Sequence, residues 1–129
     1  MSYWHSLKLG KDFLVMPVPL YPHREMKRGF NQAAVLANIL SRRFYLEISK
    51  NNLVRIKNTL AQADQKDFHA REDNVRDAFF VMDPAKLKNK DIILIDDVFT
   101  SGATLNEAAR MIKLCGAKKI IALVLARAR

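Results

Sequence analysis

Asp96 and Asp97 form the only Asp-Asp pair in the 129-residue chain, and they close the apolar run DIILI at positions 91–95. A buried strand does not tolerate two adjacent unpaired carboxylates, because desolvating an ionised group is costly. The pair therefore needs hydroxyls, a cation or water at a sheet edge. Just downstream, TSGAT (100–104) offers consecutive backbone N–H groups, the hydroxyls of Thr100, Ser101 and Thr104, and Gly102, which lets the chain turn back before the helical pattern LNEAARMIKL. A turn of that kind at a helix start cradles phosphate, and the helix dipole favours the anion. Taken singly, the pair reads as a solvated strand end and the turn as an ordinary helix start. Abutting in this order, they fit a sugar phosphate. The turn holds the phosphate, while the carboxylates accept hydrogen bonds from vicinal ring hydroxyls or hold a hydrated divalent ion through its waters.

The elements that must position this stretch follow from periodicity. DFLVMPVPL (12–20) is a short apolar run stopped by prolines, a buried strand entering a loop. FNQAAVLANILSRRF (30–44) spaces Ala33, Leu36, Leu40 and Phe44 as one helical face. Its start places Phe30 in the core and makes Asn31 a cap. YLEISKNNLVRI offers one or two short strands, and residues 57–75 are polar enough to form a mobile loop. DAFFVMD is a further short strand, with Phe79 and Phe80 in a core-like pattern. DIILIDDV and KKIIALVLARA read as strands buried on both faces. Between them a helix carries Leu105, Ala108, Ile112 and Cys115 on one stripe and stops at Gly116. Helices alternating with such strands predict a three-layer α/β fold, a mostly parallel twisted sheet with flanking helices, whose ligands sit beyond the carboxyl ends of the strands.

Composition bounds the rest. The length suits a single domain over 1–129. With 22 Lys plus Arg against 13 Asp plus Glu, the formal charge is +9, which favours polyanionic ligands without choosing among them. The single cysteine, Cys115, excludes an internal disulfide framework and a cysteine-built zinc site. His5, His23 and His69 show no metal-binding spacing. No apolar run reaches the roughly 20 residues of a membrane span, and the start lacks the plan of a secretory signal, so a cytoplasmic protein is expected.

ILIDDVFTSGAT resembles the 5-phosphoribosyl 1-diphosphate (PRPP) binding motif of type I phosphoribosyltransferases. MPVPL, HREMKRGFNQA, LVRIKNTLAQ, AREDNVRDAF and the closing VLARAR are together similar to the ComF (competence protein F), or GntX-like, family, from about Val15 to Arg129. The resemblance implies that Asp96 and Asp97 serve catalysis by binding the ribose hydroxyls, and that Thr100, Ser101, Gly102, Ala103 and Thr104 wrap the 5′-phosphate. It further implies that Val18, Pro19 and Leu20, with Arg24 and Arg28, face the diphosphate. A flexible loop from Arg55 to Asn74, with Thr59, Gln62, Arg71 and Asn74 at matching positions, would close over PRPP. Mg²⁺ would arrive with PRPP and be held by water near Asp96 and Asp97 rather than by direct protein ligands. The implied activity is phosphoribosyl transfer from PRPP to a nucleophile, with release of pyrophosphate, in natural transformation. Implied partners are single-stranded DNA and a helicase-like competence protein, and a homodimer is left open. A non-catalytic PRPP sensor and a single-stranded DNA-binding adaptor are the alternatives. Many ComF-like chains begin with a cysteine zinc ribbon, which is lacking from this sequence, and nothing here spells the acceptor.

Overall fold

The computed structural model describes residues 12–20, 30–57, 75–99 and 102–127. Strand β1 (Phe13–Pro17) leads to helix α1 (Gln32–Phe44) and the two-residue strand β2 (Glu47–Ile48). A hairpin of β3 (Leu53–Arg55) and β4 (Phe79–Val81) follows, then a 3-10 turn (Pro84–Lys86). The chain ends with β5 (Asp91–Phe99), helix α2 (Ala103–Leu114) and β6 (Lys119–Arg127). The main sheet has the order β2-β1-β5-β6 and every pairing is parallel, whereas β3 and β4 pair antiparallel. The expected α/β class with helices on both faces of a parallel sheet is what forms.

Strand alternation divides the interior into two cores. Phe13, Val15, Ile93 and Ile95 point to one face and meet Ala33 and Ala37 of α1, with Leu36, Leu40 and Phe44 packed against them. Leu14, Met16, Ile92 and Leu94 point to the other, where Leu105, Ala108 and Ile112 of α2 and Leu53, Phe79 and Val81 of the hairpin cover them. Asn31 caps α1 as expected: its Oδ1 accepts the Ala33 N–H at 3.0 Å, and its Nδ2 donates to the Val18 carbonyl at 3.2 Å. One side chain thus fixes both the helix start and the loop leaving β1. Replacing Asn31 with Ala should lower stability by about 1–2 kcal/mol, a loss read by denaturant melting.

Three expectations are corrected. β6 is not buried on both faces, and no residue from Lys119 to Ala126 is fully buried. It is the terminal strand of the sheet, with a hydrogen-bonded neighbour on one side only. Phe80 is 49 % exposed because the two-residue period of β4 turns Phe79 and Val81 inward and Phe80 out. Phe30, at 52 % exposure, precedes the cap of α1 and so lies off its apolar face. Among the described residues, no helix is long and apolar enough to cross a membrane.

Candidate functional site

The site is set by unequal strand lengths. β1 ends at Pro17, opposite Ile95, where the Val18 N–H donates to the Ile95 carbonyl at 2.7 Å. β5 continues to Phe99, paired with β6 alone. The strand therefore does not leave the sheet at the Asp pair. It is β1 that departs, which opens the sheet beside Asp96 and Asp97 while β6 keeps their backbone in register. This is the carboxyl edge of a parallel sheet, where α/β folds place ligands.

The two carboxylates differ. Asp96 continues the parity of Ile92 and Leu94 toward α2 and the hairpin and is only 8 % exposed, while Asp97 is half-buried. Asp96 Oδ1 accepts the Asp97 N–H at 2.9 Å. Burial pushes the Asp96 carboxyl up to about 7; the Asp97 N–H opposes this, the Asp97 charge adds to it, and the charge of Arg55 opposes it. Arg55 was expected to open a flexible loop. It is instead the last residue of β3, 8 % exposed, with its guanidinium 5.3 Å from the centre of the Phe79 ring.

Downstream, Gly102 takes φ 84°, a left-handed conformation that favours glycine, and caps α2 without a side-chain hydrogen bond. Its carbonyl accepts the Asn106 N–H at 2.8 Å. A glycine at the cap leaves the first turn of the helix without a capping side chain of its own, and a helix start of this kind can receive an anion. Ala103 and Thr104 are buried in the first turn of α2. Thr100 and Ser101 lie outside the described residues.

On the β1 side, Val18 packs into the core facing α2, and its N–H is spent on Ile95. Pro19 has no N–H. Of Val18, Pro19 and Leu20, which were expected with Arg24 and Arg28 to face a diphosphate, Leu20 alone has an N–H that could do so. Arg24, Arg28, Thr59, Gln62, Arg71 and Asn74 lie outside the described residues, as does nearly all of the polar stretch 57–75.

A cluster that sequence reasoning missed joins α2 to the chain entering β4. The Glu107 carboxylate, 9 % exposed, accepts the Asp77 N–H at 3.0 Å, Arg110 Nε at 2.9 Å and an Arg110 terminal nitrogen at 2.5 Å. The same Arg110 nitrogen reaches Asp77 Oδ1 at 3.0 Å. Arg110 holds the Glu107 carboxyl below its ordinary value, against burial. Asp77 itself stands at φ 57°. Beside the cluster, a cavity of about 450 Å³ runs from Arg76 and Asp77 along α2 to Ala103 of the turn. The i, i+3 spacing of Glu107 and Arg110 was a legible signal, whereas the contact with Asp77, 33 positions from Arg110, was not.

No group of three or more His, Cys, Asp or Glu among the described residues could hold a metal ion. Asp96 and Asp97 supply oxygen donors suited to Mg²⁺, and a buried carboxylate resisting ionisation is one that a cation would stabilise. They fit a hydrated ion that they hold through its waters rather than by direct ligation.

Comparison with known proteins agrees with this geometry. Residues 31–129 match the family model for the phosphoribosyl transferase domain. The chain is 39 % identical over 129 residues to competence protein F of Haemophilus influenzae, covering 96 % of this chain and 53 % of that protein. It is 38 % identical over 100 residues to competence protein ComFC of Bacillus subtilis, covering 78 % and 38 %. It is 32 % identical over 108 residues to the DNA utilization protein YhgH of Escherichia coli, covering 82 % and 45 %. The chain thus spans about half the length or less of these curated relatives. Among solved structures, glutamine PRPP amidotransferase from Bacillus subtilis, complexed with ADP and GMP, shares the fold with a TM-score of 0.54 at 14 % identity, over 91 % of this chain and 23 % of that one. With the sheet, the carboxyl-edge acids and the family match in agreement, the chain belongs to the phosphoribosyl transferase domain family.

Proposed function

We propose that this chain binds PRPP at the carboxyl edge of β5 and transfers its phosphoribosyl group to a nucleophile, within a protein that serves DNA uptake. The observation that carries the reading is the buried Asp96, whose carboxyl burial pushes up, standing where β1 leaves the sheet and just ahead of the glycine-capped start of α2. A carboxylate so placed has a use in accepting ribose hydroxyls or facing a hydrated cation. Asp96 and Asp97 take the 2′ and 3′ hydroxyls, and the turn from Thr100 to Thr104 takes the 5′-phosphate. When bound, Mg²⁺ offsets charge on the diphosphate. In the transfer, the bond from C1 to the diphosphate oxygen breaks, a bond from C1 to the nucleophile forms, and pyrophosphate leaves with the electron pair. The similarity to competence proteins of two organisms supports the role in DNA uptake.

Calorimetric titration of PRPP, with and without Mg²⁺, tests the reading. Saturable binding that strengthens with Mg²⁺ is expected, and absence of binding in both conditions would sink it. Release of pyrophosphate on adding bases or ammonia separates an enzyme from a sensor that only binds. Thr104→Val should weaken PRPP and ribose 5-phosphate alike, because both ligands carry the phosphate that the first turn of α2 holds. Loss of PRPP binding alone would place Thr104 elsewhere.

A further inference from the structure

Arg55 closes β3, and the backbone around it is paired. In the hairpin it stands in register with Phe79, and the next residue, Ile56, donates its N–H to the Ala78 carbonyl at 2.7 Å. The side chain is as nearly buried as Asp96, and its guanidinium lies over the fully buried Phe79 ring. A guanidinium keeps its charge at any pH a protein meets, so enclosing one is costly unless an aromatic face and a carboxylate answer it. The ring seats the planar group and leaves its charge to be balanced.

Burial and strand parity name the carboxylate. Among the described residues, the buried charged side chains are Arg55, Asp96 and Glu107. Glu107 is taken by Arg110, which also reaches Asp77. Arg55 and Asp96 remain for each other. Leu53 of β3 and Leu94 of β5 share the core beneath α2, and two residues further along each strand, with parity unchanged, come Arg55 and Asp96. The charge of Arg55 is felt at Asp96, where it works against the larger effect of burial. The other charged groups on the surrounding elements do not take its place. Asp97 adjoins Asp96 on β5 and is itself acidic, while Lys57, Arg76 and Lys113 are exposed. Val124, the β6 residue in register with Asp96, carries no charge.

We infer that Arg55 is a positioning residue of the ribose site: seated on Phe79, its guanidinium is the built-in counter-charge of the Asp96 carboxylate and holds that carboxylate ready for the ribose hydroxyls. The ligand in this inference rests on the PRPP reading, whereas the pairing does not. Arg55 thereby moves from a lid closing over the diphosphate to a fixed wall of the site, acting on the ligand through Asp96.

A double-mutant cycle on the unliganded protein and a binding series test the two parts. Arg55→Met keeps a long stem against the ring and removes the charge. In denaturant unfolding at pH 8 it should lower the folding equilibrium constant more in wild type than in Asp96→Asn, by on the order of tenfold, a coupling of about 1.4 kcal/mol. At pH 4, where Asp96 holds its proton in the folded chain, the two losses should be equal. Packing alone gives equal losses at both pH values, and that result overturns the inference. Calorimetry of PRPP with Mg²⁺ at pH 8 should show Arg55→Met binding on the order of tenfold more weakly, Arg55→Lys recovering most of the loss, and no further loss when Arg55→Met is added to Asp96→Asn. Unchanged affinity in Arg55→Met would overturn the positioning role. So would a loss that persists in full beside Asp96→Asn, since Arg55 would then meet the ligand itself. If no protein binds PRPP, wild type included, the PRPP reading falls and the cycle still decides the pairing. An Arg55→Met chain that folds only together with Asp96→Asn supports the inference, and one that folds in neither background assigns Arg55 to packing and overturns it.

Discussion

Replacing both Asp96 and Asp97 with Asn should leave the fold intact, raise stability above neutral pH and remove most PRPP affinity. The binding loss follows from chemistry: if each carboxylate accepts a charge-assisted hydrogen bond of about 1.5–3 kcal/mol, weakening both costs a few kcal/mol, or at least a hundredfold in affinity. The stability gain follows from burial. The Asp96 carboxyl is pushed up to about 7 mainly by desolvation, against 3.8 for its ordinary value. Below pH 4 both the folded and unfolded chains hold this proton, so the position costs nothing. As pH rises through the window from about 4 to 7, the unfolded chain gives up the proton while the folded one retains it, and stability falls. Above 7 the full cost is present, on the order of 2–4 kcal/mol for a shift of this size. Asn mimics the protonated carboxyl, including its acceptance of the Asp97 N–H. The difference in melting temperature between Asp96→Asn and wild type should accordingly be near zero at pH 4 and largest at pH 8. A variant that melts well below wild type at pH 8, yet binds PRPP normally in its folded fraction, would assign these carboxylates to the fold.

The same proton governs binding. Asp96 must ionise to accept ribose hydroxyls, so wild-type affinity for PRPP with Mg²⁺ should climb as pH rises toward 7 and level off above it. In Asp96→Asn the climb should shrink to the part set by ionisation of the phosphates of PRPP itself. Calorimetry at pH 6 and pH 8 is sufficient to see it.

Much of this arrangement was legible because it is local. The continuous apolar run in DIILI, the spacing of Ala33, Leu36 and Leu40, and the glycine in TSGAT each act within a few residues, and the backbone at Gly102 does what that pattern demands. Asn31 as a cap is the same kind of signal. What escaped was set by partners distant in sequence. KKIIALVLARA has the composition of a doubly covered strand, and only the strand order makes β6 an edge. Phe80 looked apolar enough for the core, but its two-stranded sheet has only one covered face. Asp96 and Asp97 look alike in sequence. Their separate environments arise from β1 ending opposite Ile95, from strand parity, and from Arg55, whose strand pairs with a segment more than twenty residues further on.

The largest stability loss is expected at Glu107. Its carboxylate gathers the Asp77 N–H and two nitrogens of Arg110 in a nearly buried position, and this is the tie between α2 and the chain entering β4. Glu107→Ala removes three acceptor contacts at once. It leaves a part-buried backbone N–H without its partner and frees Arg110, which is half exposed and can turn to water. The N–H and the cavity together should cost about 2–4 kcal/mol. Glu107→Gln keeps an oxygen for the Asp77 N–H and loses the charge that Arg110 pairs with, so it should cost about half as much. Asp77→Gly separates the two halves of the cluster: it discards the carboxylate that meets Arg110 but keeps the N–H. It also relieves a non-glycine residue of φ 57°, a conformation worth roughly 1 kcal/mol of strain. That variant should be near neutral. Denaturant unfolding of the three proteins gives the order directly, and a loss at Asp77→Gly as large as that at Glu107→Ala would move the weight of the cluster from the backbone contact to the exposed ion pair.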